Sequence, residues 1–285
     1  MGRTNLFELL ANSNDMRKDV SRLDTMFTEY YFISLKPKHS YYTLKDFVDE
    51  FCFKSWPERG RCIDVDDFLD TINYSHLEMS ASANNLDSFL TLIEVIYNFW
   101  HLAVSFGNKY RDELQYHDTV NMLQEIMDNC LSEYNQKAFY FPEQQKCIIA
   151  EDMPQITAAA EATDPETAIE IVRYNHRQLA GDIARKKAIL KTLADNLEGR
   201  KKEMSGINQS LYNNITGALN NLNIRHNNTN PGNKSTYRKA VAEMSEKELE
   251  DHYDDLYQLI LLAILEMDNV QRQHDMKDLI QKINL

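Results

Sequence analysis

Apolar side chains recur every three or four residues through most of the 285-residue chain. This spacing places them on one face of an α-helix, whereas side chains of a strand alternate every second residue. The segment 85–106 shows the pattern most strongly, and it is predicted to be the central helix of the N-terminal half. The 8 Gly and 6 Pro are too few for a turn-rich β fold. The sequence therefore predicts an all-α protein built from helical bundles.

One segment departs from the helical pattern. Residues 138–141 and 147–149 are apolar runs on either side of Pro142-Glu143-Gln144-Gln145. Two short β-prone runs around a turn are typical of a β-hairpin. We therefore expect a small hairpin near residues 138–149.

Helix start signals divide the rest of the chain. Residues 14–34, 43–55 and 109–134 are predicted helices of the N-terminal half. Thr163-Asp164-Pro165-Glu166 contains a capping residue, a first-turn proline and an acid, so a helix should begin there and run to about Arg200. Ser245-Glu246-Lys247-Glu248 is a second capping box and should open the final helix.

These boundaries give three regions. Residues 1–135 are predicted to form an acidic helical domain, residues 136–162 a linker or hairpin junction, and residues 163–285 a helical bundle. The net charge of −13 is unevenly divided between them. Residues 1–162 hold 14 Lys and Arg against 26 Asp and Glu, whereas residues 163–285 hold 17 against 18.

The acidic half should repel nucleic acid, while the nearly neutral half, with its basic clusters, can approach it. The acidic half is therefore a candidate surface for a protein partner. Alternatively, the acidic half mimics nucleic acid and binds a basic protein. On charge alone, ordinary solubility is the favoured explanation.

The sequence also suggests where the protein acts. The first residues lack the apolar core of a signal peptide, and no apolar run is long enough to span a membrane. The four cysteines, at positions 52, 62, 130 and 147, are far apart and favour reduced thiols over a zinc site. No P-loop, serine-hydrolase or zinc-protease motif occurs. We expect a cytoplasmic protein with no membrane association, no cofactor and no metal.

The most chemically informative segment is the end of the helix near residue 222. Arg225 offers a permanent, planar cation to phosphate oxygens, and His226 can exchange a proton near neutral pH. Asn227, Asn228 and Asn230 could orient a phosphate or ribose by hydrogen bonds. We assign Arg225 and His226 as candidate catalytic residues and the three asparagines as candidate binding residues. The simpler alternative is that Arg, His and Asn are common at helix ends.

In this context the C-terminal region resembles a HEPN domain, a helical bundle of prokaryotic RNases in toxin, abortive-infection and antiviral defence systems. The likeness rests on the helix that starts at Thr163, a second long helix that ends in Arg225-His226, and a final apolar helix. The family motif continues to a closing His, but residues 230, 231 and 232 are Asn, Pro and Gly.

The resemblance implies a homodimer in which two motifs meet and cleave RNA without a metal ion. Arg225 would then stabilise the transition-state phosphate and His226 would move a proton. Because an amide cannot transfer a proton, the missing His leaves a second hypothesis open. In that hypothesis the chain is a non-catalytic helical protein that dimerises or binds a partner.

Basic residues between 173 and 202 provide a further candidate RNA contact. Arg173 and Arg177 share one face of the predicted helix, and Lys187 and Lys191 share another. They could form an electrostatic track for RNA, or a solvated face that is paired with nearby acids. His176 could supply an imidazole, although a polar boundary position is the simpler interpretation.

Overall fold

The computed structural model describes residues 15–35, 40–109 and 114–283. Its contacts divide the chain into two compact units, with unit 1 ending at Ile149 and unit 2 starting at Ala150. The segment 136–162, predicted to be a separate junction, is divided between the two. Its hairpin contributes Cys147 and Ile149 to the core of unit 1, and its last residues form a helix of unit 2.

Unit 1 combines helices with two small antiparallel sheets. Its α-helices are α1 (Met16–Thr28), α2 (Leu44–Phe47), α3 (Val65–Thr71), α4 (Tyr74–Ser82), α5 (Leu86–Lys109) and α6 (Thr119–Glu133). Its strands are β1 (Tyr31–Leu35), β2 (Ser40–Thr43), β3 (Leu114–Tyr116), β4 (Gln136–Phe141) and β5 (Lys146–Glu151). The first sheet has the order β2-β1-β3, and β4 pairs with β5.

Apart from the last two residues of β5, the regular secondary structure described in unit 2 is helical. Its α-helices are α7 (Pro154–Glu161), α8 (Pro165–Tyr174), α9 (Ile183–Gly199), α10 (Lys201–Ile207), α11 (Gln209–Asn221), α12 (Lys239–Ala242) and α13 (Glu246–Ile283). The prediction of a mainly helical fold with a small hairpin near residues 138–149 is confirmed. The three-stranded sheet was not predicted.

Two helix predictions in unit 1 are wrong at one end. The helix predicted over 14–34 ends at Thr28, and the following aromatic and β-branched residues pair with β2 as strand β1. The helix predicted over 109–134 begins at Thr119, because residues 114–116 pair with β1 instead. The start of α2 is as expected, since the Thr43 hydroxyl accepts a hydrogen bond from the Asp46 N–H at 3.1 Å.

Helix α2 does not end at Phe47 but changes its winding. It continues as a π-helix over Val48–Cys52 and as a 3-10 helix over Phe53–Ser55. Short π-helical turns are uncommon and widen the helix locally. The predicted helix 43–55 is thus present as one run with three kinds of turn.

The core of unit 1 is aromatic and centres on α5. The Phe99 ring is fully buried and lies 5.7 Å from the rings of Phe27, Trp56 and Phe68. Such tilted and edge-to-face pairs stabilise a core beyond the area that they bury. Farther along α5, a Cβ atom at Gly107 would overlap the Tyr116 hydroxyl group, so the close approach of β3 depends on a glycine there.

Helix α5 is also long and apolar enough to cross a membrane by length and composition alone. The expectation that no apolar run could do so therefore fails on length. About 61% of its apolar window is buried inside the structure, which is usual for the core helix of a soluble protein. The structure is compatible with a soluble protein.

The prediction of a single helix from Thr163 to Arg200 is wrong, because two helices occupy this segment. Its N-terminus is capped by Asp164, whose carboxylate accepts a hydrogen bond from the Thr167 N–H at 2.9 Å. The helix ends at Tyr174, and α9 starts only after Asp182, which caps it in the same way. Between them Gly181 adopts a positive φ of 80°, which favours glycine.

The longest helix, α13, is held to unit 2 by its first half. The predicted capping box is confirmed, since the Ser245 hydroxyl accepts from the Glu248 N–H and the Glu248 carboxylate accepts from the Ser245 N–H. Its buried side chains share one face: Tyr253, Leu256, Tyr257, Ile260, Leu261, Ala263, Ile264 and Met267. In contrast, residues 269–283 are all exposed.

Candidate functional site

The candidate corner lies where α11 ends. After Asn221 the chain turns through Asn223, which has a left-handed φ of 60° that asparagine tolerates well. The turn brings the Arg225 N–H to the Leu219 carbonyl at 3.1 Å. The sequence predicted a helix that ends in Arg225-His226, whereas α11 ends at Asn221 and both residues lie in the loop that follows it.

The guanidinium of Arg225 is already engaged. Its Nη1 atom lies 2.6 Å from Oε1 of Glu198, near the end of α9, and only 14% of the Arg225 side chain is exposed. The Glu198 side chain is 54% exposed. An anionic ligand would have to displace this carboxylate before Arg225 could bind it. In this structure Arg225 links the loop after α11 to α9.

The other candidates at this corner differ sharply in exposure. His226, Asn227 and Asn230 are exposed. The amide oxygen of Asn227 accepts from the Thr229 hydroxyl at 3.1 Å, and that of Asn230 accepts from the Gly232 N–H at 2.9 Å. These short-range bonds shape the loop and leave the side chains at the surface.

Asn228 has a structural role instead of a binding role. It is fully buried. Its amide oxygen accepts from the Asn223 N–H at 2.8 Å, and its Nδ2 donates to the Thr236 carbonyl at 2.6 Å. Its own N–H donates to the Asn223 side chain, and its carbonyl accepts from the Arg238 N–H. Because these polar groups hold the loop together, the side chain is not available to a ligand.

The predicted basic track is broken by the fold. Arg173 lies in the last turn of α8 and pairs with Glu170 at 2.6 Å, whereas Arg177 lies in the short 3-10 turn that follows. Lys187 and Lys191 lie on α9, beyond the break. Arg173 and Arg177 therefore do not share one helical face, contrary to the prediction. Lys187 and Lys191 do share a face, and burial and then the charge of Lys191 lower the pKa of Lys187.

A cavity of about 670 Å³ brings Lys187 close to the corner loop. Its lining includes Asn223, the residue that holds Asn228, and the start of α9. The full set is Ala180, Gly181, Asp182, Ile183, Ala184, Lys187, Asn223, Glu246 and Tyr253. Its charged lining residues are one lysine and two acids, so the cavity is not a strongly cationic pocket.

The most elaborate polar cluster of unit 2 was missed by the sequence analysis. Lys186, assigned to the basic surface, has a side chain that is 8% exposed and lies 2.7 Å from both Glu250 and Asp254 on α13. Its ammonium also lies 5.2 Å from the centre of the Tyr174 ring, a cation–π distance. The Tyr174 hydroxyl donates to Asp254 at 2.9 Å, and its ring stacks on Tyr257.

Electrostatics keep this cluster charged. Burial alone would lower the pKa of Lys186, but hydrogen bonds to Asp254 and Glu250 outweigh it, so the pKa is raised. The hydrogen bond from Lys186 and then the backbone N–H of Gly181 lower the pKa of Glu250. The cluster thus ties the start of α9 to α13 through an ion pair. The one sequence signal for its burial is that Lys186 lies three and four residues before the apolar Ile189 and Leu190, on the same face of α9.

Within the described residues, no group of three or more His, Cys, Asp or Glu side chains is placed to hold a metal ion. All four cysteines are buried and free. No protein-family model, curated protein or solved structure matches the chain. The resemblance to HEPN domains therefore stays a prediction.

Proposed function

We propose that this chain is a non-catalytic helical interaction protein that self-associates through the exposed face of α13. The observation that carries the proposal is a line of apolar side chains on a helix face that unit 2 leaves largely exposed. We call it the outer seam: Leu262, Leu265, Asn269, Arg272, Met276, Leu279 and Ile283.

The outer seam has the spacing of a coiled coil. Its seven positions alternate in steps of three and four residues, and five of them are apolar. Leu262, Met276, Leu279 and Ile283 are 46%, 56%, 49% and 71% exposed. A contiguous stripe of exposed large apolar side chains is typical of a contact surface, whereas single scattered ones are common on any protein.

The outer seam and the buried face of α13 are separate. With about 100° of rotation per residue, the centre of the outer seam lies about 140° around the helix from the centre of the buried face. The end of α13 therefore does not simply continue the stripe that packs in unit 2. It presents a second stripe to another partner.

The polar seam residues favour an antiparallel pair of identical chains. In a parallel pair, Arg272 would face Arg272 of the second copy. In an antiparallel pair centred between Asn269 and Arg272, each Arg272 faces an Asn269, and each Leu279 faces a Leu262. This arrangement removes the like-charge contact and keeps apolar side chains opposite one another.

The outer seam is too small for a tight complex. Its partly exposed apolar side chains present far less than the roughly 800 Å² that each partner buries in a standard interface. We therefore expect a reversible dimer with a dissociation constant on the order of 10 µM or higher. In the cell, we infer that the protein is cytoplasmic and that assembly depends on its local concentration.

Analytical ultracentrifugation tests the self-association. We expect the wild-type mass to rise with loading concentration, and the double variant Met276→Lys/Leu279→Lys to stay monomeric. Val270→Lys is the matched control, because Val270 is 48% exposed but lies about 130° away from the outer seam. A wild-type chain that is monomeric at every concentration, or an equal loss with Val270→Lys, contradicts the proposal.

Cysteine cross-linking tests the orientation. When Leu262→Cys and Leu279→Cys chains are mixed and oxidised, an antiparallel pair gives the mixed disulfide. A parallel pair would give each homodimer instead. The buried native cysteines provide the background, which the wild-type chain measures.

An RNase assay separates this proposal from the HEPN hypothesis. Single-stranded RNA in EDTA should remain intact, because Arg225 is paired with Glu198 and Asn228 is occupied by its own loop. Cleavage that disappears in both Arg225→Ala and His226→Ala would contradict the non-catalytic proposal. RNA binding without cleavage, weakened in Lys187→Ala/Lys191→Ala, would instead support an RNA-binding role for unit 2.

A further inference from the structure

Unit 1 contains a groove of about 890 Å³ beside its three-stranded sheet. Its lining includes residues of strand β2 and residues of α2 with its π-helical and 3-10 continuation. The segment before α3 closes it. The lining residues are Tyr41, Tyr42, Asp46, Asp49, Glu50, Lys54, Ile63 and Asp64, which we call the β2 groove.

The β2 groove follows the edge of a strand. In the order β2-β1-β3, β2 is an outer strand of the described sheet. Both Tyr41 and Tyr42 line the groove, and as neighbouring residues of β2 they point to opposite faces of the sheet. Outer strands with accessible backbone groups are the sites where extended peptides add to a sheet.

The rim of the β2 groove is apolar and aromatic. Tyr41 is 52% exposed, and Ile63 is 71% exposed. The Tyr41 ring lies 5.4 Å from the ring of Tyr31, which is itself 59% exposed, and 5.9 Å from His117. Exposed aromatic rings of this kind bury large areas against a partner and attract cations to their faces.

The charge of the β2 groove selects the partner. Four carboxylates and one ammonium line it, which gives a net charge of −3. Asp49 and Asp64 also hold the start of α3, accepting from the Val65 and Asp67 N–H groups at 2.8 Å. Asp46 and Glu50 are exposed. A phosphate backbone would be repelled here, whereas lysine and arginine side chains would be attracted.

We infer that the β2 groove binds an extended, basic segment of a partner protein. The segment would pair its backbone with the edge of β2, and its lysine or arginine side chains would reach Asp46 and Glu50. Alternate apolar side chains would pack on Tyr41 and Ile63, because a strand presents its side chains to two faces in turn. This inference does not depend on the outer seam of α13.

Fluorescence anisotropy with labelled peptides tests this inference on the full chain. We expect a peptide of alternating Lys and Val to bind, with an affinity that falls steeply as salt is added. A peptide of alternating Glu and Val should not bind. A peptide of alternating Lys and Pro has the same charge but lacks half of the N–H donors, so it should bind more weakly than Lys–Val.

Variants locate the contact. Asp46→Asn/Glu50→Gln should weaken Lys–Val binding about fivefold to tenfold, whereas Glu125→Gln/Glu143→Gln removes two exposed acids elsewhere in unit 1 and should not. Tyr41→Ala should also weaken it. The inference is overturned if the Lys–Val peptide does not bind, if both double variants bind it equally, or if the Lys–Pro peptide binds as tightly.

Discussion

Unit 1 and unit 2 bury different chemistry. The core of unit 1 is neutral: aromatic rings surround Phe99, and burial lowers the pKa of His101 to about 4, so that the imidazole is uncharged near neutral pH. Unit 2 instead buries the charged side chain of Lys186, which pairs with two partly exposed acids of α13. The stability of a neutral core depends on how closely its side chains pack. The stability of an ion pair depends on the presence of every charged partner, because removing one leaves the others unpaired.

The two units should therefore respond differently to acid. His101 is neutral in folded unit 1, so its contribution to stability is present above its ordinary pKa of 6.5 and is lost as the pH falls toward 4. Glu250 has a lowered pKa, so its contribution is present above 4.5 and is lost only at lower pH. Of these two groups, the one in unit 1 should respond first.

The largest expected effect is on the aromatic core. Phe99→Ala should destabilise unit 1 by about 3–5 kcal/mol, because it removes a buried ring and leaves a cavity among three others. Both tryptophans of the chain, Trp56 and Trp100, lie in unit 1, so their fluorescence in urea reports its unfolding alone. Met122→Ala, at a residue that is 48% exposed, is the control and should change little. A similar small change in Phe99→Ala would contradict the comparison.

The acid response of unit 1 gives the next largest effect. The His101 ring is stacked between Tyr97 and Tyr140, with ring centres 5.7 and 3.7 Å away. Between pH 6.5 and 4, the free energy of unfolding of unit 1 should fall by up to about 3 kcal/mol through this group. In His101→Phe this dependence should be much flatter. Equal slopes for both proteins in tryptophan-monitored urea titrations would show that His101 is not the responsible group.

The ion pair of unit 2 gives the smallest of the three. Lys186→Met should destabilise unit 2 by about 2 kcal/mol, since it strands Glu250 and Asp254, which are partly exposed and can be solvated. Hydrogen exchange of α9 and α13 peptides measures it, with Lys191→Met as the exposed control. Replacing all three residues by apolar ones should restore much of the loss. Unchanged exchange in Lys186→Met would mean that the cluster is not stabilising.

The helices that the sequence predicted best are those with a continuous apolar stripe or a clear start signal. Helix α5 and the capping box of α13 are examples, because their local pattern and their packing agree. The three-stranded sheet of unit 1 was missed because β3 is only three residues long and β1 begins soon after the end of a helix. Pairing between strands far apart in the sequence leaves no local signal.

The candidate site shows the same limit. Arg225 and His226 are neighbours in the chain, so the sequence alone shows that they lie close together. The ion pair between Arg225 and Glu198 depends on how α9 packs near the end of α11, which the sequence does not show. Asn227 and Asn228 look alike in sequence, yet one is exposed and the other is fully buried. Hydrogen bonds between the Asn228 side chain and backbone groups five and eight residues away made that difference, and composition could not reveal it.

The close approach of Tyr116 to Gly107 restricts which substitutions evolution can accept at these two positions. Any larger residue at position 107 would meet the phenol ring, so it could be accepted only together with a smaller residue at position 116. Among homologous chains the two positions should change as a pair.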